Sequence, residues 1–423
     1  SIRDSYENSD RDLQGEDTMK QAWRWFGPND PVSLDAIRQA SATDIVTALH
    51  EIPIGTPWPL EAILQHKELI ENDGDGRAPL VWSVVESIPV HDDIKRGADG
   101  WQRYAEAFSE SLLNLAKTGI ETVCYNFMPV IDWTRTDLSH ELSNGARALR
   151  FDADDFAAFD IHILAREGAG MEWGVEAAKR AQMRFQAMTD NERKRLAQTV
   201  TSGLPGRMTK PREFSEFKAA LHAFAGVDEL ALRENLYAFL EQVLPVAEEA
   251  GITLAIHPDD PPRRLLGLPR VVCTADDLEA LFEAHPSPAN GLTLCAGTFG
   301  VLPENDLPDM ACRFGPRIAF AHLRGTKRDR DNPMSFTEAE HLGSDIDMVA
   351  LVRNLLLEER TRAQAGHGRE IVIRPDHGHQ MLDDLYKQVN PGYSAIGRLR
   401  GLAEIRGVIH ALSWEESPGN DAE

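Results

Sequence analysis

The sequence predicts an α/β protein in which eight parallel strands, each followed by a helix, close into a (β/α)8 TIM barrel. Short apolar runs alternate with amphipathic stretches along most of the 423 residues. The runs are continuously apolar, which is typical of strands buried on both faces of a parallel sheet. There are eight such runs, and a closed barrel of this kind requires eight strands.

The predicted strands occupy residues 23–27, 44–50, 80–85, 120–127, 252–258, 291–297, 317–325 and 370–378. Helices are predicted between them where apolar residues recur in steps of three and four along one face. Residues 101–115 show this spacing and are followed by Gly119 as a cap. Residues 232–246 repeat the pattern with a proline near the end, and Gly251 closes that helix. A third helix of this kind is predicted at 345–357.

The interval between the fourth strand and its helix is much longer than a barrel connection needs. Residues 136–227 are rich in Arg, Asp, Glu and Ala and contain few strand signals. We interpret them as a helical insertion on the rim of the barrel, serving as a lid or a subunit contact; a separate second domain is the alternative. Residues 1–18 are polar without periodicity and are predicted to be a flexible leader, which leaves 19–423 as one barrel domain including the insertion.

Composition excludes several classes of partner. Lys and Arg total 44 against 68 Asp and Glu, which gives a net charge of −24. A surface this negative repels nucleic acid and anionic lipid but concentrates metal cations. Four cysteines are too few for a disulfide scaffold, and no apolar run reaches the roughly 18 residues of a membrane helix. We therefore expect a cytoplasmic protein without nucleic-acid or membrane partners.

The last four predicted strands each end in a side chain that can bind a metal. Taken singly, a histidine, a cysteine or an aspartate at a strand end has an ordinary structural explanation. In a barrel, however, the carboxyl ends of all strands meet at one mouth. Four successive strands therefore predict one metal site, with the ligands His257, Cys295, His322 and Asp376. This donor set suits Mn²⁺, Fe²⁺ or Zn²⁺ better than Mg²⁺ or Ca²⁺, and open positions for substrate favour a five- or six-coordinate ion.

Groups that move protons or bind substrate are predicted beside this site. His377 and His379 follow the eighth strand and titrate near neutral pH. Tyr393 comes shortly afterwards, and a nearby cation would lower its pKa. Arg324 could clamp a substrate carboxylate with two hydrogen bonds.

Four further polar residues follow strand ends. His91 and Asn126 come after the third and fourth strands and could bind substrate hydroxyls, although each could equally be a surface or supporting residue. Asp259 and Asp260 lie in a proline-rich turn and are predicted to shape the loop.

Several segments together resemble the mannonate dehydratase family over residues 19 to about 412: MKQAWRWFGPNDPVSL, CYNFMPVIDWTRTDL, AIHPDDPP, LCAGT, AHLRG, FTEAEHLGSDIDM, RPDHGHQM and GYSAIGRLRGLAEIRG. The resemblance implies a xylose-isomerase-like barrel that removes water from D-mannonate, giving 2-dehydro-3-deoxy-D-gluconate in glucuronate (hexuronate) catabolism. It also implies Mn²⁺ or Fe²⁺ as cofactor and a homo-oligomer, a dimer or tetramer. The family's ligands fall on the four residues already chosen.

The same resemblance places the proton-transfer groups on His377 and Tyr393 and leaves His379 open between substrate contact and support. Dehydration of a 2,3-dihydroxy acid needs a base for the C2 proton and an acid for the C3 hydroxyl, and the order of the pair stays open. The alternatives are a metal-dependent sugar isomerase or epimerase on the same barrel and a catalytically silent carbohydrate-binding or metal-storage protein. A barrel nuclease acting on abasic DNA is disfavoured by the net charge of −24.

Overall fold

A computed structural model of the protein describes residues 19–72, 76–206, 213–366 and 369–415. The predicted leader, residues 1–18, lies outside the described residues. The strands are β1 (Lys20–Arg24), β2 (Asp44–Thr47), β3 (Val81–Glu86), β4 (Thr122–Tyr125), β5 (Asp137–Glu141), β6 (Arg147–Phe151), β7 (Thr253–Ile256), β8 (Asn290–Cys295), β9 (Ile318–His322), β10 (Thr326–Arg328), β11 (Phe336–Glu338) and β12 (Val372–Arg374).

Eight of these strands form a closed, entirely parallel barrel in the order β1-β2-β3-β4-β7-β8-β9-β12, with β12 pairing back onto β1. The predicted fold class is therefore confirmed. Each predicted strand overlaps one barrel strand, although the first begins three residues earlier, at Lys20 instead of Trp23.

The helices surround the barrel and fill the insertion. They are α1 (Leu34–Gln39), α2 (Leu60–Glu71), α3 (Asp92–Lys95), α4 (Gln102–Ala116), α5 (Ala153–Ala158), α6 (Ala169–Trp173), α7 (Val175–Ala187), α8 (Asp190–Thr201), α9 (Phe214–Ala223), α10 (Glu229–Ala250), α11 (Ala275–Ala284), α12 (Ala296–Phe299), α13 (Leu307–Arg313), α14 (Met348–Gln364) and α15 (Ala395–Glu415). Short 3₁₀ turns occupy Gly315–Arg317 and Leu382–Tyr386, and a π turn occupies Phe159–Ile163. No described helix is long and apolar enough to cross a bilayer.

The three helices predicted from spacing correspond to α4, α10 and α14. Helix α10 continues through Pro245 and ends at Gly251, whose φ of 67° is the left-handed conformation that a glycine adopts without strain. Helix α14 begins three residues later than predicted, because Asp347 caps its first turn by accepting a hydrogen bond from the amide of Ala350.

The insertion lies between β4 and α10, as predicted, but it opens with strands. Before helices α5–α9, β5 and β6 form an antiparallel hairpin, and β6 pairs with β11 from the region after the seventh barrel strand. With β10 they form a four-stranded accessory sheet in the order β10-β11-β6-β5. The rings of Phe151 and Phe336 stack across it with centroids 5.5 Å apart. This sheet was not predicted, because β6 pairs with a strand far along the chain.

Candidate active site and metal centre

The alternation of side chains along each barrel strand places the polar residues of the mouth. A small apolar cluster joins one residue from each of six barrel strands: Ala22, Val46, Val84, Cys124, Phe320 and Val372. Side chains alternate along a strand, so the residue two positions after each member of this cluster points to the same side of the sheet. Five of these positions are polar, namely Arg24, Glu86, Asn126, His322 and Arg374. The interior therefore changes from apolar to charged at the carboxyl end of the barrel.

Three of the four predicted metal ligands form a compact cluster. The ligand atoms of His257, Cys295 and His322 all lie within 4.8 Å of one another. Asp376 lies beside them, with its Oδ2 3.7 Å from Nδ1 of His322 and 3.9 Å from Sγ of Cys295. The structure thus brings all four predicted ligands to one point in the mouth.

The chemistry of this cluster fits a divalent cation. His322 is buried, and its Nε2 lies 3.2 Å from Oε1 of Glu86. Its Nδ1, which faces the cluster, makes no hydrogen bond of acceptable geometry within the described residues. Nδ1 of His257 lies 2.7 Å from the carbonyl oxygen of Pro258, which only accepts, so Nε2 remains available as a ligand. Burial opposes ionisation of the Cys295 thiol, but the charges of Arg324 and His257 outweigh it and hold its pKa well below the ordinary value.

One group of buried charges sits on the barrel strands themselves. Arg374 donates two hydrogen bonds to Glu86, at 2.6 and 3.0 Å, and its remaining terminal nitrogen donates to Asp376. Arg24 lies 3.1 Å from the same Glu86 carboxylate. Burial opposes ionisation of Glu86, but Arg24 and Arg374 keep its pKa well below the ordinary value. The two arginines and two carboxylates are thus held as charged groups inside the mouth.

A second group surrounds Arg324. This guanidinium lies 2.7 Å from both Glu338 and Asp260 and 2.6 Å from Asp376. Its nitrogens therefore face protein carboxylates. It also lines the central cavity, and its role as a clamp for a substrate carboxylate stays a prediction. Arg135 reinforces the group through Asp260 at 2.6 Å and Glu338 at 3.0 Å. Asp260 does more than shape its turn, since it bridges two buried arginines.

The predicted proton-transfer groups lie in direct contact. Nε2 of His377 is 3.2 Å from the hydroxyl of Tyr393, and Nδ1 is 3.2 Å from a carboxylate oxygen of Glu338. Burial raises the pKa of Tyr393 to about 12, although the charge of Arg24 opposes this. Among the protein's own groups, burial therefore outweighs the charge of Arg24 and keeps the phenol protonated at neutral pH. The lowering of this pKa by a bound metal cation stays a prediction.

The remaining predicted contacts are distributed around the mouth. Asn126 lines a central cavity together with His322, Asp376, His377 and Tyr393. His91 instead lines an adjoining outer cavity, where it caps helix α3 and stacks on Tyr104 with ring centroids 3.7 Å apart. His379 is outside both cavities, with Nε2 2.9 Å from the carbonyl oxygen of Glu338. Its geometry is that of a supporting residue.

The charged groups that contact the predicted ligands and the proton-transfer pair were not predicted from the sequence. They are Arg24, Glu86, Arg374, Arg135 and Glu338. A usable signal existed for three of them, because a charged residue within or at the end of an apolar strand is seldom buried without a partner. No comparable signal marked Arg135 or Glu338, which are brought in by the loop after β4 and by a three-residue strand.

A barrel whose mouth combines a potential metal cluster with a buried histidine–tyrosine pair defines an enzyme that acts on a small polar substrate. The D-mannonate dehydratase (UxuA) family matches residues 19–417 of this chain. A mannonate dehydratase of Marinomonas sp. (strain MWYL1) is 52% identical over 390 residues, 92% of this chain and 98% of that protein. One from Brucella canis is 52% identical over 394 residues, covering 93% and 97%.

The solved structure of mannonate dehydratase from Streptococcus suis serotype 2 superposes with a TM-score of 0.74 at 32% identity. The match covers 96% of this chain and 98% of that one. The chain belongs to the D-mannonate dehydratase family.

Proposed function

We propose that this chain, as a mannonate dehydratase and thus a hydro-lyase, removes water from D-mannonate to give 2-dehydro-3-deoxy-D-gluconate in glucuronate catabolism. The single observation that carries the residue-level proposal is the contact of the His377–Tyr393 pair, 3.2 Å apart, at the edge of the ligand cluster. A buried acid–base pair beside a cation site is what removal of a weakly acidic C2 proton requires.

The proposed cofactor is Mn²⁺ or Fe²⁺, held by His257, Cys295, His322 and Asp376. Two observations support this ligand set: Nδ1 of the buried His322 makes no well-formed hydrogen bond among the described residues, and the pKa of the Cys295 thiol is lowered. A thiolate and two imidazoles argue against Mg²⁺, which prefers oxygen ligands. When bound, the ion supplies Lewis-acid stabilisation of negative charge on the substrate oxygens.

The chain's own residues move the protons. One member of the His377–Tyr393 pair takes the C2 proton, and the other protonates the C3 hydroxyl, which leaves as water. The electrons of the C2–H bond form the C2–C3 double bond as the C3–O bond breaks. The resulting enol becomes the 2-keto acid. Asn126, at the wall of the central cavity, is placed to bind a hydroxyl of the sugar acid. Arg324 acts through the carboxylates that it holds.

Four further expectations complete the proposal. We expect the sugar-acid substrate to bind at the central cavity, whose lining is largely charged. The homo-oligomer, the cytoplasmic location and the single barrel domain stay predictions.

The test is an assay on D-mannonate after chelation and re-addition of Mn²⁺, Fe²⁺, Zn²⁺ or Mg²⁺, with the product detected by the periodate–thiobarbiturate reaction. We expect a 2-keto-3-deoxy acid, most of it with Mn²⁺ or Fe²⁺. An isomerase or epimerase would give none. The variant His377→Ala should lose turnover but keep the metal content of the unaltered enzyme, whereas His410→Ala, at an exposed position of helix α15, should behave normally. Near-normal kcat in His377→Ala would refute the assignment.

A further inference from the structure

We infer that Glu338 is a positioning residue for the proposed dehydration: its carboxylate fixes the tautomer of His377 so that Nε2 is the proton acceptor and Tyr393 the proton donor. The inference rests on the proposed function and adds to it a residue and an order of proton transfer. It is carried by three groups in a line, a carboxylate, an imidazole and a phenol, which are joined by two contacts.

The first step concerns the protonation of the imidazole. A carboxylate only accepts hydrogen bonds, and Oε1 of Glu338 lies 3.2 Å from Nδ1 of His377. Nδ1 must therefore carry the hydrogen of the neutral ring. Nε2 of the neutral ring is left with its lone pair, so the hydroxyl of Tyr393, 3.2 Å away, is the donor in that contact. The nearest carboxylate oxygen on this side, Oδ1 of Asp376, lies 3.7 Å from Nε2 and is beyond hydrogen-bond distance.

The second step concerns the carboxylate itself. Oε1 of Glu338 also receives hydrogen bonds from Arg324 at 2.7 Å and from Arg135 at 3.0 Å, and all three side chains are buried. Two guanidinium groups on one oxygen fix the position of the carboxylate and favour its charged form. The imidazole thus has a rigid acceptor on its Nδ1 side.

The third step concerns how Glu338 reaches the site. It is the last residue of β11, the accessory-sheet strand that pairs with β6 of the insertion. Phe336, two residues earlier on the same strand, is held by Phe151 of the insertion. The accessory sheet therefore sets the distance between Glu338 and His377, so the insertion contributes to the catalytic geometry.

The order of events follows from this tautomer. Nε2 of His377 takes the C2 proton, and the hydroxyl proton of Tyr393 goes to the departing C3 hydroxyl, which leaves as water. The proton then passes from Nε2 to the tyrosinate oxygen across their 3.2 Å contact, which restores both residues. One proton is taken and one is given, so the cycle balances without another reactant.

A purely structural role would make Glu338 a counter-charge for the two arginines. Asp260 provides a matched comparison, because it is equally buried and contacts the same Arg135 and Arg324 at 2.6 and 2.7 Å. Among the described residues it makes no hydrogen bond or ion pair with His377. Glu338→Gln and Asp260→Asn each remove one charge from the same pair of arginines, but only the former alters the partner of the imidazole.

The experiment compares both variants with the unaltered metal-loaded enzyme for kcat and KM on D-mannonate and for metal content. We expect Glu338→Gln to lower kcat about 100-fold with KM and metal content little changed. Asp260→Asn should lower kcat by at most about tenfold. With C2-deuterated D-mannonate, the isotope effect on kcat should rise in Glu338→Gln only, since proton abstraction becomes slower.

Equal losses of kcat in the two variants, or a raised KM with unchanged kcat in Glu338→Gln, would overturn the inference. If Glu338→Gln does not fold, Glu338→Asp keeps the charge for the arginines but shortens the reach to Nδ1. It should still lower kcat, and normal kcat there would equally overturn the inference. Different results would refute the proposed function itself: no 2-keto-3-deoxy acid from the unaltered enzyme, or near-normal kcat in His377→Ala.

Discussion

Replacement of Arg374 by methionine tests whether the buried charges of the mouth stabilise the fold. Arg374 is 2% exposed and holds Glu86 and Asp376 together. Its loss leaves two buried carboxylates, but Glu86 keeps Arg24 at 3.1 Å and Asp376 keeps Arg324 at 2.6 Å. Removal of one partner from a buried ion pair lowers the free energy of unfolding by about 3–5 kcal/mol. Because each carboxylate keeps a second arginine, we expect a loss near the lower end, about 3 kcal/mol.

This free energy converts to a shift in melting temperature. An unfolding entropy of about 2.1 cal/mol/K per residue gives roughly 0.9 kcal/mol/K for this chain, so the Arg374→Met enzyme should melt about 3 °C lower. The measurement is circular dichroism on chelated proteins at one scan rate. The control is Arg103→Met, whose side chain is 64% exposed and 3.9 Å from Asp93, and it should melt within about 0.5 °C of the parent. A shift below 1 °C for Arg374→Met would refute the reasoning that these carboxylates are ionised.

Two further predictions concern pH and close packing. Burial opposes ionisation of Asp260, but Arg135 and Arg324 lower its pKa, so its contribution to stability is present above pH 4 and is lost as pH falls further. In urea unfolding between pH 5 and 3, Asp260→Asn should therefore lose less stability than the parent, by up to about 1.4 kcal/mol per pH unit; parallel curves would contradict this. A Cβ at Gly397 would collide with the backbone of His379, whereas Gly407 in the same helix has open space. Gly397→Ala should lower the unfolding free energy by about 3 kcal/mol or more, and Gly407→Ala should raise it by about 0.5–1 kcal/mol; similar urea midpoints would contradict this.

The barrel could be predicted because parallel strands covered on both faces have a distinctive sequence. Each buried strand is a short apolar run, and its carboxyl end is the place where a functional side chain can face the mouth. His257, Cys295, His322 and Asp376 were found in this way, since their side chains are metal ligands by type. Their convergence within a few ångströms follows from the closure of the sheet alone.

The charged groups that support these ligands could not be predicted, because their meaning depends on partners far along the chain. Arg374 and Glu86 are 288 residues apart and come together only across the closed barrel. Arg324 was found by position, but its contacts with three buried carboxylates were not predicted, since these come from separate loops and a short strand. A guanidinium beside a predicted substrate site looks the same in sequence whether it binds substrate or protein.

The insertion shows why the accessory sheet is part of the active site. Arg135 lies just before β5 and holds both Asp260 and Glu338, while Trp133 and Leu204 line the central cavity. The hairpin that follows Arg135 pairs through β6 with the strand that carries Glu338. The loop that carries His377 is tied to the same sheet, because Gln380 pairs with Arg147 of β6. A change in the pairing of β6 would therefore disturb both Glu338 and the loop of His377. The barrel therefore sets the proposed metal ligands, and the accessory sheet sets the partner of the proton-transfer pair.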